Sequence, residues 1–407
     1  MWQSESVVWL GVGLALLSVV FGYRQSSSDS YGRHEGCTIS TNRDLPNPSG
    51  LLLSPYTLKI LYPEMGDKLL LDPGEEVRIA CPGGHLQVKG QKSYEKNIVK
   101  CKAGNEFQYE DQVSPFYNFA CSDPPTSILK RTGLCSLNKT QLMAGFTVLN
   151  QFIPLVEICF DEMRLRTLYT KNDVTPDIQG RQINFPRKFF EEDQFFKNVS
   201  MSRVYSKGAQ IRILTDILQS KDLVNKYVGD DTIARGHLTP KGDFVYGVEQ
   251  MATFYYVNTA PQWHKFNAGN WNDVEISVRK LAIKRKITLT VYTGSFGVLY
   301  FPDKNNINRG IFLARDKKNN YFFPVPNLFW KVVYDPKSQS AVALVGHNNL
   351  HWVNQTDILC PDISPEISWL SWNRTNVEKG FSYACELSTF RNKIGYLPKF
   401  TATKLLK

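Results

Sequence analysis

"ARGHLTPKGDF", residues 234–244, holds the histidine on which the reading of this chain turns. His237 lies between Arg235-Gly236 and Leu238-Thr239-Pro240, in a stretch rich in turn-forming residues. A lone histidine in such a turn is usually structural, so its surroundings must decide. Downstream, the alternating apolar residues of ATFYYVN, within a strand expected over Phe244 to Asn258, suggest a strand leaving the turn and ending at Thr259-Ala260-Pro261. Beyond it Val274, Val278, Leu281 and Ala282 recur at helical spacing, which gives a helix with one buried stripe. Lys284, Arg285 and Lys286 gather at its C-terminal turn, where the macrodipole favours positive charge. The order is strand, strand, helix. Asn267 stands just before the helix and Glu275 on it, so both could face the histidine.

The chain has 407 residues, 42% hydrophobic and 13% aromatic, enough for a large core and about two structural units. Its net charge of +10 favours a polyanionic partner. Val7 to Phe21 form an apolar run of signal-peptide length, although the segment before it carries Glu5 and no Lys or Arg. Residues 1–22 therefore read as a signal peptide, and 23–36 as a flexible leader containing SSSDS. Eight cysteines without a C-x-x-C pair fit disulfides better than zinc, and sequons at Asn138, Asn198, Asn354 and Asn373 also point to export. Six cysteines lie between Cys37 and Cys159, among short β-like runs broken by Pro and Gly. This predicts a β-rich, disulfide-stapled module over 37–140, followed by an α+β domain over 141–407. Further helices are expected over Phe189 to Phe196 and Ile211 to Val228, and a strand over Ile287 to Tyr292; Cys360 and Cys385 would close the C-terminal segment.

RGHLTPKGDF, YYVNTAPQWHKFNAGNWNDVE, VYTG and VPNLFWKVVYD, taken together in this order, closely resemble the DNA/RNA non-specific endonuclease family. The resemblance runs from about Val156 to the C-terminal region and implies a ββα-metal fold. With the signal peptide and the cysteine-rich front, the chain looks most like the secreted arthropod branch, known as double-strand ribonucleases. The resemblance implies hydrolysis of DNA and RNA, double-stranded RNA included, leaving 5′-phosphate ends. His237 would be the general base, since a neutral imidazole can take a proton from water. Asn267 would be the one direct protein ligand of Mg²⁺, with Mn²⁺ as a substitute, and Glu275 would hold the metal's waters. Asn258 would position the histidine or the substrate, and Arg235 would face phosphate or hold the turn. For the upstream arginine of the family, Arg203 is the candidate and Lys207 its rival.

One departure stands out: the family commonly has Asp before R-G-H, and this chain has Ala234. A second function therefore stays open, a secreted nucleic-acid-binding protein of the same fold with weakened catalysis. His347 and His351 lack the glutamate of a zinc motif and read as a surface or packed pair. Asp230-Asp231 reads as a turn and His264 as an exposed side chain, while Trp263, Trp271 and Trp330 are candidate stacking surfaces as well as candidate core.

Overall fold

A computed structural model describes residues 36–407 except 93–96, 197–198 and 230. The expected signal peptide, the leader apart from Gly36, the sequon residue Asn198 and Asp230 lie outside the described residues. The other three sequon asparagines are exposed.

The front of the chain is β-rich. Strand β1 (Cys37–Ser40) pairs antiparallel with Lys68–Leu71, and a five-stranded antiparallel sheet joins Leu51–Leu53, Glu76–Ala80, Ile98–Ala103, Glu106–Tyr109 and Gln112–Pro115. Disulfide Cys37–Cys101 staples two of these strands, and Cys81–Cys121 ties the end of Glu76–Ala80 to the strand Phe119–Cys121. A third, Cys135–Cys159, joins the next two segments, and Cys360–Cys385 closes the C-terminal segment as expected.

The central sheet has nine strands. A meander of β2 (Ile128–Leu134), β3 (Thr140–Val148), β4 (Gln151–Asp161) and β5 (Arg166–Val174) opens it. The chain then leaves for α1 (Met201–Val204), α2 (Lys207–Leu218), α3 (Lys221–Val228), β6 (Ile233–His237), α4 (Gly247–Met251), β7 (Thr259–Trp263), α5 (His264–Asn267) and α6 (Asn270–Arg285). It returns as β8 (Leu289–Phe296), β9 (Leu328–Asp335), β10 (Ser340–His347) and β11 (Ser382–Cys385), with the short β12 (Lys404–Leu405) parallel to β10. The strands bury both faces. Val333 of β9 shares a core cluster with Val274, Val278, Leu281 and Ala282 of α6, whereas its neighbours Trp330 and Val332 pack with Phe390 and Ile394 of α7 (Leu387–Ile394). Each such side chain contributes roughly 1.5–3 kcal/mol when fully buried, so α6 is fixed by its stripe, as its spacing predicts.

Three expected elements come out differently. Ile211 to Val228 is two helices, because Gln219 turns left-handed (φ 55°) and Ser220 caps α3 by accepting from Leu223 N at 3.3 Å. Phe189 to Phe196 is not a helix; only Gln194–Phe196 makes a 3-10 turn. Phe244 to Asn258 is not a strand but contains α4, because the buried Glu249 carboxylate accepts the Tyr246 amide at 3.0 Å and starts a helical turn. Its near-continuous burial, rather than one buried face, produced the false alternation. The strand is instead β7, the stretch read as its end.

Candidate active site

β6 and β7 form a two-stranded antiparallel ribbon in which His237 pairs Thr259 and Arg235 pairs Pro261. α5 and α6 follow directly, so the ββα order expected from the motif is present. Gly236 is obligatory in this ribbon, since a β-carbon there would lie 2.2 Å from Gln262 Oε1. His237, Arg235, Asn267 and Glu275 all line one cleft of about 990 Å³.

His237 is half-buried at the end of β6, with its ring 4.9 Å from both Phe190 and Phe254. Its Nε2 is buried without a hydrogen-bond partner, so Nδ1 is the nitrogen that can meet a water in the cleft. Burial, followed by Arg187 and Lys241, holds the imidazole down at about 3. The ring is therefore neutral across the physiological range, and its basicity is held down for as long as the site stays desolvated and flanked by cations.

The turn that carries it is over-determined. Asn258 is buried and does not line the cleft; its Oδ1 accepts Thr239 N at 3.0 Å, and its Nδ2 donates to Thr239 O and Thr253 O, both at 2.9 Å. It therefore braces the turn that carries the histidine and lies apart from the cleft lining. Thr239 Oγ1 continues the network to Thr170 at 2.8 Å and Asn172 at 3.1 Å on β5. Asn172 donates to Asp243 at 3.3 Å, and Asp243 pairs with Arg279 of α6 at 2.9 Å. Arg279 thus pairs with Asp243 and not with Glu275, its neighbour four residues away on the helix.

Two asparagines of adjacent sequence show opposite designs. Asn270 is buried, and its Nδ2 donates to Asn373 O and Gly380 O, at 2.9 and 2.7 Å. Asn267, half-buried at the end of α5, makes no side-chain hydrogen bond among the described residues and faces the cleft. The residue before α6 is Gly269, so Asn267 does not cap that helix. Glu275 is half-buried one turn into α6, and desolvation pushes its carboxyl up to about 7 against the pull of Lys331 and Arg279. Lys331 is a buried lysine in the middle of β9; its Nζ donates to Thr293 Oγ1 at 2.5 Å and stands 5.7 Å from the Trp271 ring.

Arg235 is held on aromatic faces: its Nε donates to Tyr256 Oη at 3.0 Å, and its guanidinium lies 5.0 Å from the Tyr205 ring. Arg203 is exposed on α1 and does not line the cleft, and neither does Lys207. The upstream cations that do line it are Arg181 and Arg187. With Arg235, Lys241 and Arg279 they make five cations, against one lining carboxylate, Glu275. Sequence reasoning missed Arg181, Arg187, Lys241 and Lys331. The available signals were cations interleaved with aromatics in NFPRKFFEED, just before and within the helix expected over Phe189 to Phe196, and a lysine inside the apolar run NLFWKVVYD.

The other candidates stay apart from the cleft chemistry. Trp263, Trp271 and Trp330 are core residues at 1%, 0% and 0% exposure and offer no stacking face. His347 ends β10, buried against Phe381 and Tyr383, and burial lowers it to about 4. His351 is exposed and meets Tyr227 O at 2.9 Å, so the two histidines form no helix pair. His264 is exposed at the cleft edge.

No three His, Cys, Asp or Glu side chains converge as a metal cage among the described residues. The donors present, an unpartnered amide oxygen and a desolvated carboxylate, suit a hard divalent ion that keeps most of its waters. They do not suit a tetrahedral zinc site.

Residues 139–390 match the family model of the DNA/RNA non-specific endonucleases. A salivary endonuclease of Lutzomyia longipalpis is 29% identical over 361 residues, covering 87% of this chain and 80% of that protein. The salivary protein Tsal2A of Glossina morsitans morsitans is 27% identical over 383 residues, covering 89% of this chain and 92% of that one. A 48-residue stretch is 48% identical to the mitochondrial nuclease EXOG of Xenopus laevis, covering 12% and 13% of the two chains.

Proposed function

The chain belongs to the DNA/RNA non-specific endonuclease family, and on that premise we propose that it is a secreted, Mg²⁺-dependent endonuclease that cuts DNA and RNA, double-stranded RNA included. The observation that carries this reading is the convergence of His237, Asn267 and Glu275 on one cleft with five cations. His237 Nδ1 takes the proton of a water as the water oxygen bonds to phosphorus. The bond from phosphorus to the 3′-oxygen breaks, and the departing oxygen takes a proton from solvent water, leaving a 5′-phosphate and a 3′-hydroxyl. Asn267 and Glu275 would hold the metal ion, whose charge, when bound, neutralises phosphate and stabilises the departing oxygen. Arg187 and Lys241 meet non-bridging oxygens; until substrate arrives their charges add to burial, the larger cause, in holding down the basicity of His237. The incoming phosphate offsets those charges and strengthens the base when it is needed. Phe189, 96% exposed and next in sequence to the cleft-lining Phe190, offers a face for an unpaired base. Export is supported by the four disulfides, the exposed sequons and the salivary relatives.

One observation favours the second reading, a binder with weakened catalysis. Ala234 faces Gln262 across the ribbon, and the buried Gln262 Nε2 is a donor without the acceptor that an Asp at position 234 would offer. A gel assay decides: plasmid DNA and long double-stranded RNA, each with Mg²⁺ and with EDTA, beside His237→Ala. Cleavage that needs both the metal and His237 supports the nuclease. Substrate that is shifted but uncut supports the binder.

A further inference from the structure

The role of the front module can be read from one strap of chain, residues 181–187, which brings Arg181 and Arg187 to the cleft and contains no helix or strand. Without a hydrogen-bonded ladder of its own, such a strap must be held by its neighbours. The front module holds one side of it. Just after β1, the buried Thr41 Oγ1 donates to Gly180 O at 2.7 Å, Asn42 Oδ1 accepts Ile183 N at 2.8 Å, and Asn42 Nδ2 donates to Arg181 O at 3.4 Å. The α4 segment holds the other side. Gln182 N donates to Val245 O at 2.8 Å, Gln182 Oε1 accepts Gly247 N at 2.7 Å, and Gln250 Nε2 donates to Gln182 O at 2.9 Å. That segment is itself latched to the front module: Tyr62 Oη donates to Glu249 Oε1 at 2.7 Å, Tyr246 Oη donates to Leu61 O, and the two tyrosine rings stack at 5.9 Å.

The held strap sets Arg181 beside Arg279. Both guanidinium groups flank Gly242, their Nη1 atoms 2.8 and 3.0 Å from where a β-carbon on that glycine would lie. Arg279 is matched by Asp243, whereas no carboxylate pairs with Arg181 among the described residues. The pair therefore presents one uncompensated positive charge to the cleft, the complement of a single phosphodiester.

We infer that the front module is a clamp that sets Arg181 beside Arg279 and so completes the phosphate-binding side of the cleft. This rests on the cleft being the nucleic-acid site proposed above, and the test separates the two. Binding of a fluorescent single-stranded oligonucleotide to the full-length secreted protein is followed by anisotropy in EDTA, where no cutting occurs. Arg181→Ala weakens binding about tenfold, and Asn42→Ala, at an exposed position, weakens it several-fold. Their combination is no weaker than Arg181→Ala alone, because the clamp acts through that arginine. Asn42→Asp, which keeps the acceptor for Ile183, retains most of the affinity, and Thr41→Val repeats the cycle should Asn42→Ala fail to fold. Losses that multiply in the double variant, or an Asn42→Ala protein that binds normally, overturn the clamp. A wild-type protein that shows the coupling but cuts nothing with Mg²⁺ overturns the nuclease and leaves the clamp standing; one that does not bind overturns both.

Discussion

The two walls of the cleft are built on different principles. His237, Asn267 and Glu275 stand on β6, α5 and α6, elements whose positions are set by their own hydrogen bonds and buried stripe. Arg181, Arg187 and Phe190 stand on irregular chain whose position is borrowed from the front module and α4. Groups that handle protons and metal need fixed angles and sit on rigid elements. Groups proposed to bind a repeating phosphate backbone tolerate a looser mount, which Arg181 and Arg187 have, although Arg235 and Arg279 stand on β6 and α6.

That contrast predicts different kinds of loss. On the rigid wall, His237→Ala should cut the cleavage rate by about 10² to 10⁴ while oligonucleotide binding in EDTA stays near wild type; an unchanged rate removes His237 from the chemistry. On the strap, Arg187→Ala should instead raise KM, cost about tenfold or more in kcat/KM, and reduce the salt slope of binding by about 0.7 for a single strand. An equal salt slope in both proteins would show that Arg187 meets no phosphate. Phe189→Ala should raise KM roughly five-fold or more on single-stranded substrate and less on duplex, as stacking on unpaired bases requires. Equal effects on both would leave the ring without a base to stack on.

The smallest effect concerns stability. Glu275 titrates at about 7 in the folded chain, above its ordinary 4.5, so folding favours its protonated form. Its contribution is fully present below about 4.5 and is lost as pH rises through 7. In EDTA at pH 8, Glu275→Gln should therefore melt roughly 1–2 °C above wild type, with the gap closing near pH 4. A glutamine variant that melts lower at pH 8 would mean the carboxylate is already paired without metal.

The same contrast explains what the sequence disclosed. His237, Asn267 and Glu275 were legible because local elements carry them at fixed spacing, and α6 because Val274, Val278, Leu281 and Ala282 repeat at 3.6 residues. The fold class and the β-rich front followed from short strands and cysteines. Arg187 was hidden because its position depends on contacts distant in sequence, and the cleft cation chosen instead, Arg203, lies outside the cleft. Lys331 was hidden inside an apolar run that gives no sign of which face its amine takes. The strand expected over Phe244 to Asn258 is absent because buried Glu249 starts a helical turn there, which outweighs the apparent alternation.

The clamp also has a bearing on time. Thr41 reaches Gly180 across 139 residues, and Tyr62 reaches Glu249 across 187. Closing such long loops is entropically costly, and contacts of that separation form slowly. During synthesis the front module waits for its partners, and the strap gains its place only once the chain is made past α4. The wall proposed to bind phosphate is among the last parts of the molecule to form, so a partly made or partly folded chain carries the histidine before Arg181 is set in the cleft.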